Sequence, residues 1–471
     1  MHYAPCARLL QLAQPLADEG HQVFVLAATM PGTTKKAPVR RFERQNIDFL
    51  RCELQDLNSD ELRGFIEESR ADLLIGVTPR PAAWAIRHAG DRPLWIDLFG
   101  DLMAEAQARE IVFPGDERLE AYRNILAELL EAGDAFSTVS EVQINVLIGQ
   151  LGLAGRLTAD LIGGGASQSD PGKSLSCGIP IFSLPCAAPF ISPDPGPDSI
   201  PTDLPTGAFI ILSSGGFNTW LDIETLFAGL EKAMEERENL YFLATGGGIP
   251  GQDEESFRHW TQLLEGSRHR QRYMMLGFLR PGELAALIHR ADLGLICEKD
   301  ILERCLGSSG RVAHWLKAGL PVVCTPLSEL GREIGARGMG RCYRPGDAGD
   351  LARILVELRD SPTDLKAMAH AAAAFARDEL SPEATTRPLR QWVHTAEKLP
   401  GSRQRSVSRM VALLDEISEL KGMVDSRDQR IIELQSDLGE IHHSRMWSWW
   451  MRYLDLREKL LKLLPWKNTA R

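Results

Sequence analysis

The sequence has no apolar run approaching the roughly 18 residues that a membrane-spanning helix requires, and it reads without a signal peptide at its start. Its eight cysteines (Cys6, Cys52, Cys177, Cys186, Cys297, Cys305, Cys324 and Cys342) form no CxxC pair and no Cys/His cluster at zinc spacing. A zinc-finger or disulfide-stapled scaffold is thereby excluded, and a reducing, cytoplasmic setting is the expectation. Neither a metal nor a cofactor is expected. A basic excess is also lacking. The formal net charge of −11 argues against a nucleic-acid-binding face covering the whole protein.

What is present is 471 residues, 44% of them hydrophobic, enough for two α/β domains and further pieces. In the first half, strands are expected at Val23–Leu26, Asn46–Leu50, Asp72–Val77, Leu94–Leu98 and Ala135–Val139, with helices between them. This alternation predicts a doubly wound parallel sheet. Its opening is irregular, because the helix Ala7–Glu19 comes almost directly after Met1 where a strand and turn are expected first. A start assigned too late is favoured over a fold without its first strand. Expected strands at Phe209–Leu212, Leu240–Ala244, Tyr273–Leu276 and Leu293–Cys297 mark a second unit of the same kind. The domain reading is an N-terminal Rossmann-like domain over 1–190, a Pro/Gly-rich linker over 191–206, and a second Rossmann-like domain over 207–365. Closing helices follow over 366–400. Two such sheets leave a cleft at their strands' carboxyl ends, where open α/β sheets bind ligands.

The most informative stretch is Gly307–Ile334, a Gly/Ser loop followed by an amphipathic helix and a short apolar strand. A helix N-terminus after such a loop seats phosphate well, because its first amides are free and its dipole favours negative charge. Ser213–Asp222, directly after the first strand of the second unit, offers Gly215 and Gly216 as close-approach backbone. Together with Ser308, Ser309, Gly310 and Arg311 it makes a two-sided cradle for a diphosphate, with Arg311 neutralising its charge. Two other Gly-rich matches are set aside. Gly246–Gly251 fits GxGxxG, but Pro250 stiffens it and no acidic residue follows at the right distance, so it reads as a loop rimming the cleft. Pro171–Ser174 ends like a phosphate-binding P-loop, yet Ser167 stands where the glycine belongs.

In the first domain, Asp97, Asp101 and Glu105 share a face if a helix begins near Gly100. Such a cluster orients acceptor hydroxyls, and Asp101 or Glu105 is a catalytic base if buried; helix capping is the competing reading. His21 and His88 are weaker candidates. Ser213 and Ser214 read as turn residues, since no histidine and acid are arranged around them.

The last part differs in kind. Met410, Leu413, Ile417, Leu420, Val424, Ile431, Leu434, Leu438 and Ile441 keep a 3–4 spacing, a coiled-coil seam over 405–443. The tail 444–471 carries four of the ten tryptophans and seven basic residues against two acidic ones from Arg445 onward. Tryptophan plus cationic charge on a helix suits a membrane surface, and a dimer partner is the competing contact.

From Ala4 to Leu389 the sequence resembles the GT-B glycosyltransferases of the large group 1 class. The motifs that carry the resemblance are LAQPLADEGHQVFVL, FIILSSGGFNTWLDIETL, LGFLRPGELAALIHRADLGLI and, above all, KAGLPVVCTPLSELGREI. The tail resembles extensions of bacterial surface-polysaccharide enzymes. The resemblance implies a GT-B fold, a nucleotide-sugar donor, a glycan or lipid-linked acceptor, and metal-independent transfer. The class carries a Glu-x7-Glu pair where this chain has Leu306 and His314. Donor binding is then expected from Arg311, Arg280 and the Ser308–Gly310 amides, with Glu298 and Glu303 near a ribose or sugar hydroxyl, and His314 and Glu333 at matching positions. The implied setting is cytoplasmic or at the inner membrane face, as a homodimer or complex through the coiled coil. A non-catalytic GT-B-like scaffold is the alternative, and a GT-B-fold sugar-nucleotide epimerase a third reading.

Overall fold

A computed structural model describes residues 4–29, 40–53, 59–111, 113–115, 118–158, 178–187, 204–248, 253–399 and 404–463 (backbone only for 29, 118, 404–420, 422, 425 and 463). The chain divides into two compact units, Met1–Ser402 and Arg403–Arg471. The linker over 191–203, the Pro171–Ser174 decoy and the end of the tail, Trp466 included, lie outside the described residues.

Among the described residues the first unit holds three sheets built from thirteen strands. In its first half these are β1 (Val23–Thr29), β2 (Arg40–Arg44), β3 (Ile47–Glu53), β4 (Leu74–Val77), β5 (Leu94–Asp97), β6 (Ala135–Thr138) and β7 (Ile181–Ser183). In its second half they are β8 (Phe209–Ser213), β9 (Leu240–Ala244), β10 (Tyr273–Met275), β11 (Leu293–Leu295), β12 (Val322–Cys324) and β13 (Gly340–Cys342). The second half makes one parallel sheet of order β10-β9-β8-β11-β12-β13. Its central strands are buried along their length, as their unbroken apolar sequences require. Trp315, fully buried, packs against the backbone of β11 at Gly294, where a Cβ would meet its ring at 2.6 Å.

The first half is split. One sheet runs β1-β3-β2 and another β4-β5-β6-β7, and among the described residues no strand pairs with the free edges of β1 and β4. Strand β2 was not expected from the sequence. RRFER is wholly exposed and carries no apolar alternation, and it is held by a hairpin through Gln45 and Asn46, both at positive φ.

The last helices of this unit, Pro382–Thr385 and Arg387–Val393, return to the first half. Leu389 and Trp392 join one apolar cluster with Leu12, Leu16 and Trp95. Gln11 donates to Thr385, and Asp134 accepts from Lys398 and from the Leu399 amide.

In the second unit, Gln404–His443 and Arg445–Leu463 are helices, the latter capped by Ser444, which accepts from the Trp447 amide at 3.0 Å. Val424, Ile431, Leu434, Leu438 and Ile441 are exposed along the first helix, and Trp449 and Trp450 along the second. Among the described residues no helix is long and apolar enough to cross a membrane.

Candidate functional site

The site begins at the carboxyl end of β8. Gly215 sits at φ 105°, and Gly246, at φ 86°, presses so closely on it that a Cβ would meet the Gly215 carbonyl oxygen at 2.3 Å. Only glycine fits this approach. The Gly246 loop therefore buttresses the Gly215 loop, with Phe217 donating to the Gly247 carbonyl at 3.0 Å. Ser214 accepts from the Trp315 indole at 3.1 Å, which ties this loop to the helix Gly310–Lys317. Ser214 thus ties the loop to the helix, and Ser213 is the last residue of β8 rather than a turn residue.

From that helix Arg311 reaches back over Gly215, its guanidinium 3.0–3.2 Å from where a Cβ would lie. Among the described residues it has no hydrogen-bond or ion-pair partner. Burial pushes its pKa down to about 10, against the pull of Glu298 and with a small push from Arg304. A desolvated, unpaired cation costs free energy unless an anion completes it. The free amides at the start of the same helix, after Ser308 and Ser309, add the polarity an anion needs.

Next to it lies a carboxylate–guanidinium cluster that the sequence did not show. Arg304 bonds Glu298 at 2.9 Å and forms a close two-pronged pair with Glu303, all three side chains being largely buried. Its guanidinium also lies over the Trp220 ring, 5.4 Å from the centroid. Loop 218–222 is laced to this cluster by backbone bonds, Lys299 donating to Trp220 and Asp222 to Cys297. The Trp220 indole nitrogen is buried without a partner. The sequence signal for Arg304 was only its place between two expected site residues.

The first half contributes one carboxylate. Glu105 is raised to about 7, chiefly by burial and then by the charge of Glu303, while Arg304 opposes the rise. Its carboxylate folds over Gly100, where a Cβ would meet Oε1 at 2.4 Å. The two halves also meet directly. Ser140 donates to the Leu306 carbonyl at 2.6 Å, and the Glu141 amide donates to Glu329 at 2.8 Å. Cys186 lies against the Ser308 carbonyl.

Two expected acceptor residues are reassigned. Asp97 is fully buried, chelated by Arg8 at 2.7 and 3.0 Å and by the Ser137 hydroxyl at 2.6 Å, so it has nothing left for an acceptor. Asp101 caps the helix Leu102–Glu110, accepting from Met103, Ala104 and Gln150. The helix starts at Leu102, so the i, i+4 face supposed for Asp97, Asp101 and Glu105 does not form. Arg280 is pinned to Glu283 in a capping box on an exposed surface, and Glu333 pairs with Arg337 in an exposed row with Glu379. Neither is brought to the cluster. His314 lies one turn beyond Arg311, partly buried, while Leu306 is buried. Thr78 was overlooked. At the end of β4 it holds φ 67°, a strained state for a β-branched residue.

No protein-family model matches the sequence, and no curated protein matches it in sequence. Solved structures do match in fold. Sucrose-phosphate synthase from Thermosynechococcus elongatus superposes with TM-score 0.59 at 15% identity, covering 82% of this chain and 92% of that one. HepE from Anabaena, solved with UDP-glucose, gives 0.57 at 13%, covering 84% and 97%. WaaG, described as a glycosyltransferase involved in lipopolysaccharide biosynthesis, gives 0.53 at 14%, covering 83% and 95%. The first unit of this chain has the GT-B fold of these glycosyltransferases.

Proposed function

We propose that this protein is a glycosyltransferase that moves a sugar from a nucleotide-diphosphate donor to a glycan or lipid-linked acceptor in surface-polysaccharide synthesis. The observation that carries this reading is the unpaired Arg311 guanidinium held over Gly215 at a helix N-terminus. In a GT-B fold this is where a diphosphate would gain most, since both charges are drawn from water by the same contact.

On this reading Arg311 and the Ser308–Gly310 amides stabilise the departing nucleoside diphosphate, so that a divalent cation is not required for its charge. Glu298 and Glu303, fixed by Arg304, accept hydrogen bonds from donor hydroxyls. Glu105 stands across the halves with a pKa suited to taking the acceptor's proton near neutrality. Glu105 replaces the pair Asp101 and Glu105 as the base. The exposed seam of the second unit suits a homodimer, and the Trp-rich helix a membrane surface, as the acceptor chemistry would require.

Calorimetry with UDP, UDP-glucose and the GDP and dTDP sugars tests the reading. Saturable binding of one nucleotide, weakened in Arg311→Met, is expected; binding of none sinks it. A scaffold without activity is the second reading, favoured by Leu306 and His314 at the places of the class's two glutamates. Nucleotide binding without sugar transfer or donor hydrolysis would select it. Truncation after Pro400 is expected to abolish dimerisation in sedimentation, and an unchanged profile refutes the coiled-coil assignment.

A further inference from the structure

The first helix of the chain, Ala4–Asp18, ends in a fixed turn. Gly20, at φ 91°, donates to the Ala17 carbonyl and His21 to the Leu16 carbonyl, the two bonds of a Schellman motif. This sets Glu19 and His21 on a rigid backbone. The returning helix Arg387–Val393 ends at His394, and its ring lies 5.3 Å from that of His21. One carboxylate oxygen of Glu19 and one ring nitrogen from each histidine all fall within 4.8 Å of one another. His21 Nε2 is shut off from solvent and has no hydrogen-bond partner. Glu19 and His394 are exposed, so an ion can enter from solution.

We infer that Glu19, His21 and His394 form a divalent transition-metal site, with zinc as its occupant. Two imidazoles and one carboxylate are a ligand set zinc takes, with a water completing the tetrahedron, and small side-chain movements bring ligands at this spacing into a shell of about 2 Å radius. Arg390 is a charged group in contact with the cluster. It pairs closely with Glu19 and holds that carboxylate in place as an outer-shell partner would, while its charge moderates affinity. The site lies where the returning helix meets the first helix, so the ion would staple the chain's return to its starting domain. Its role is structural and separate from the nucleotide cradle. The expectation of no metal rested on spacing along the sequence, which does not register ligands from opposite ends of a folded unit.

The test uses the full chain without an affinity tag, stripped with EDTA and dialysed, then titrated with zinc chloride by calorimetry and followed by thermal melting. One equivalent of saturable binding and a raised melting midpoint are expected. His394→Ala and Glu19→Gln, both at exposed positions, should each weaken zinc at least about tenfold while leaving the zinc-free midpoint nearly unchanged. Cobalt in place of zinc should give the intense visible absorption of a tetrahedral site, lost in His394→Ala. Absence of saturable zinc binding, or binding equally tight in both variants, overturns the assignment.

Discussion

The two halves of the first unit follow the same alternation and end differently. In the second half, β8 lies between β9 and β11, buried along its length, and delivers Gly215 to the site from its carboxyl end. In the first half the helix Ala4–Asp18 leads into β1 as Ile223–Glu236 leads into β9, so β1 and β4 correspond to β9 and β11. The place equivalent to β8 is where the sheet parts. A parallel sheet gains its rigidity from strands covered on both faces and paired on both edges. The half that cradles the proposed diphosphate has that rigidity. In the half that faces it, the edges of β1 and β4 are unpaired among the described residues.

The largest effect that separates the halves is expected from their cores. Trp315→Ala should lower stability by about 3–5 kcal/mol in denaturant unfolding, and should loosen the Gly215 loop through loss of the Ser214 bond. Ile75→Ala, in partly exposed β4, should cost under about 2 kcal/mol; equal losses would mean that the open edge has no energetic meaning. Arg311→Met should weaken nucleotide-sugar binding by about 2 kcal/mol, roughly thirtyfold, with little change in melting temperature. A loss of fold instead would make Arg311 a structural residue.

Glu105 sharpens the comparison by pH. Its folded pKa lies above its unfolded value, so its contribution to stability is complete below about pH 4.5 and is lost as pH rises through about 7. Glu105→Gln should flatten this part of the stability profile, by about 1–2 kcal/mol after solvent screening, and should remove one limb of the transfer rate's pH dependence. An unaltered profile would place the titrating group elsewhere. Smaller still, Asp101→Ala should cost about 1 kcal/mol as a lost helix cap and, by removing a neighbouring negative charge, should move the Glu105 limb to lower pH without abolishing it. Finally, amide exchange in β1 and β4 should be faster than in β8 and β11.

Much of this was legible because apolar runs and glycine positions report locally. Strands β8 to β12, the Gly215 loop and the Gly310 helix follow from residues within a few positions of one another, whereas β13 was not read from the sequence. Partnership across long separations was not legible. Asp97 looked like a site carboxylate because Arg8, which neutralises it, lies far earlier in the chain. Asp101 looked like a base because the one-residue difference between a helix cap and a helix face has no sequence signature. Arg304 carried no motif of its own, and its meaning comes from Glu298 and Glu303 converging on it. Strand β2 was missed because it is stabilised by its hairpin turn and not by burial.

The return of Leu389 and Trp392 to Leu12, Leu16 and Trp95 has a consequence for biogenesis. A ribosome releases the first half hundreds of residues before the segment that covers it. Until that segment emerges, Trp95 and its neighbours lack part of their final packing, while the second half can already close around its own sheet. The domain made first is therefore completed last, and chains halted near residue 380 should be captured by chaperones through their oldest part.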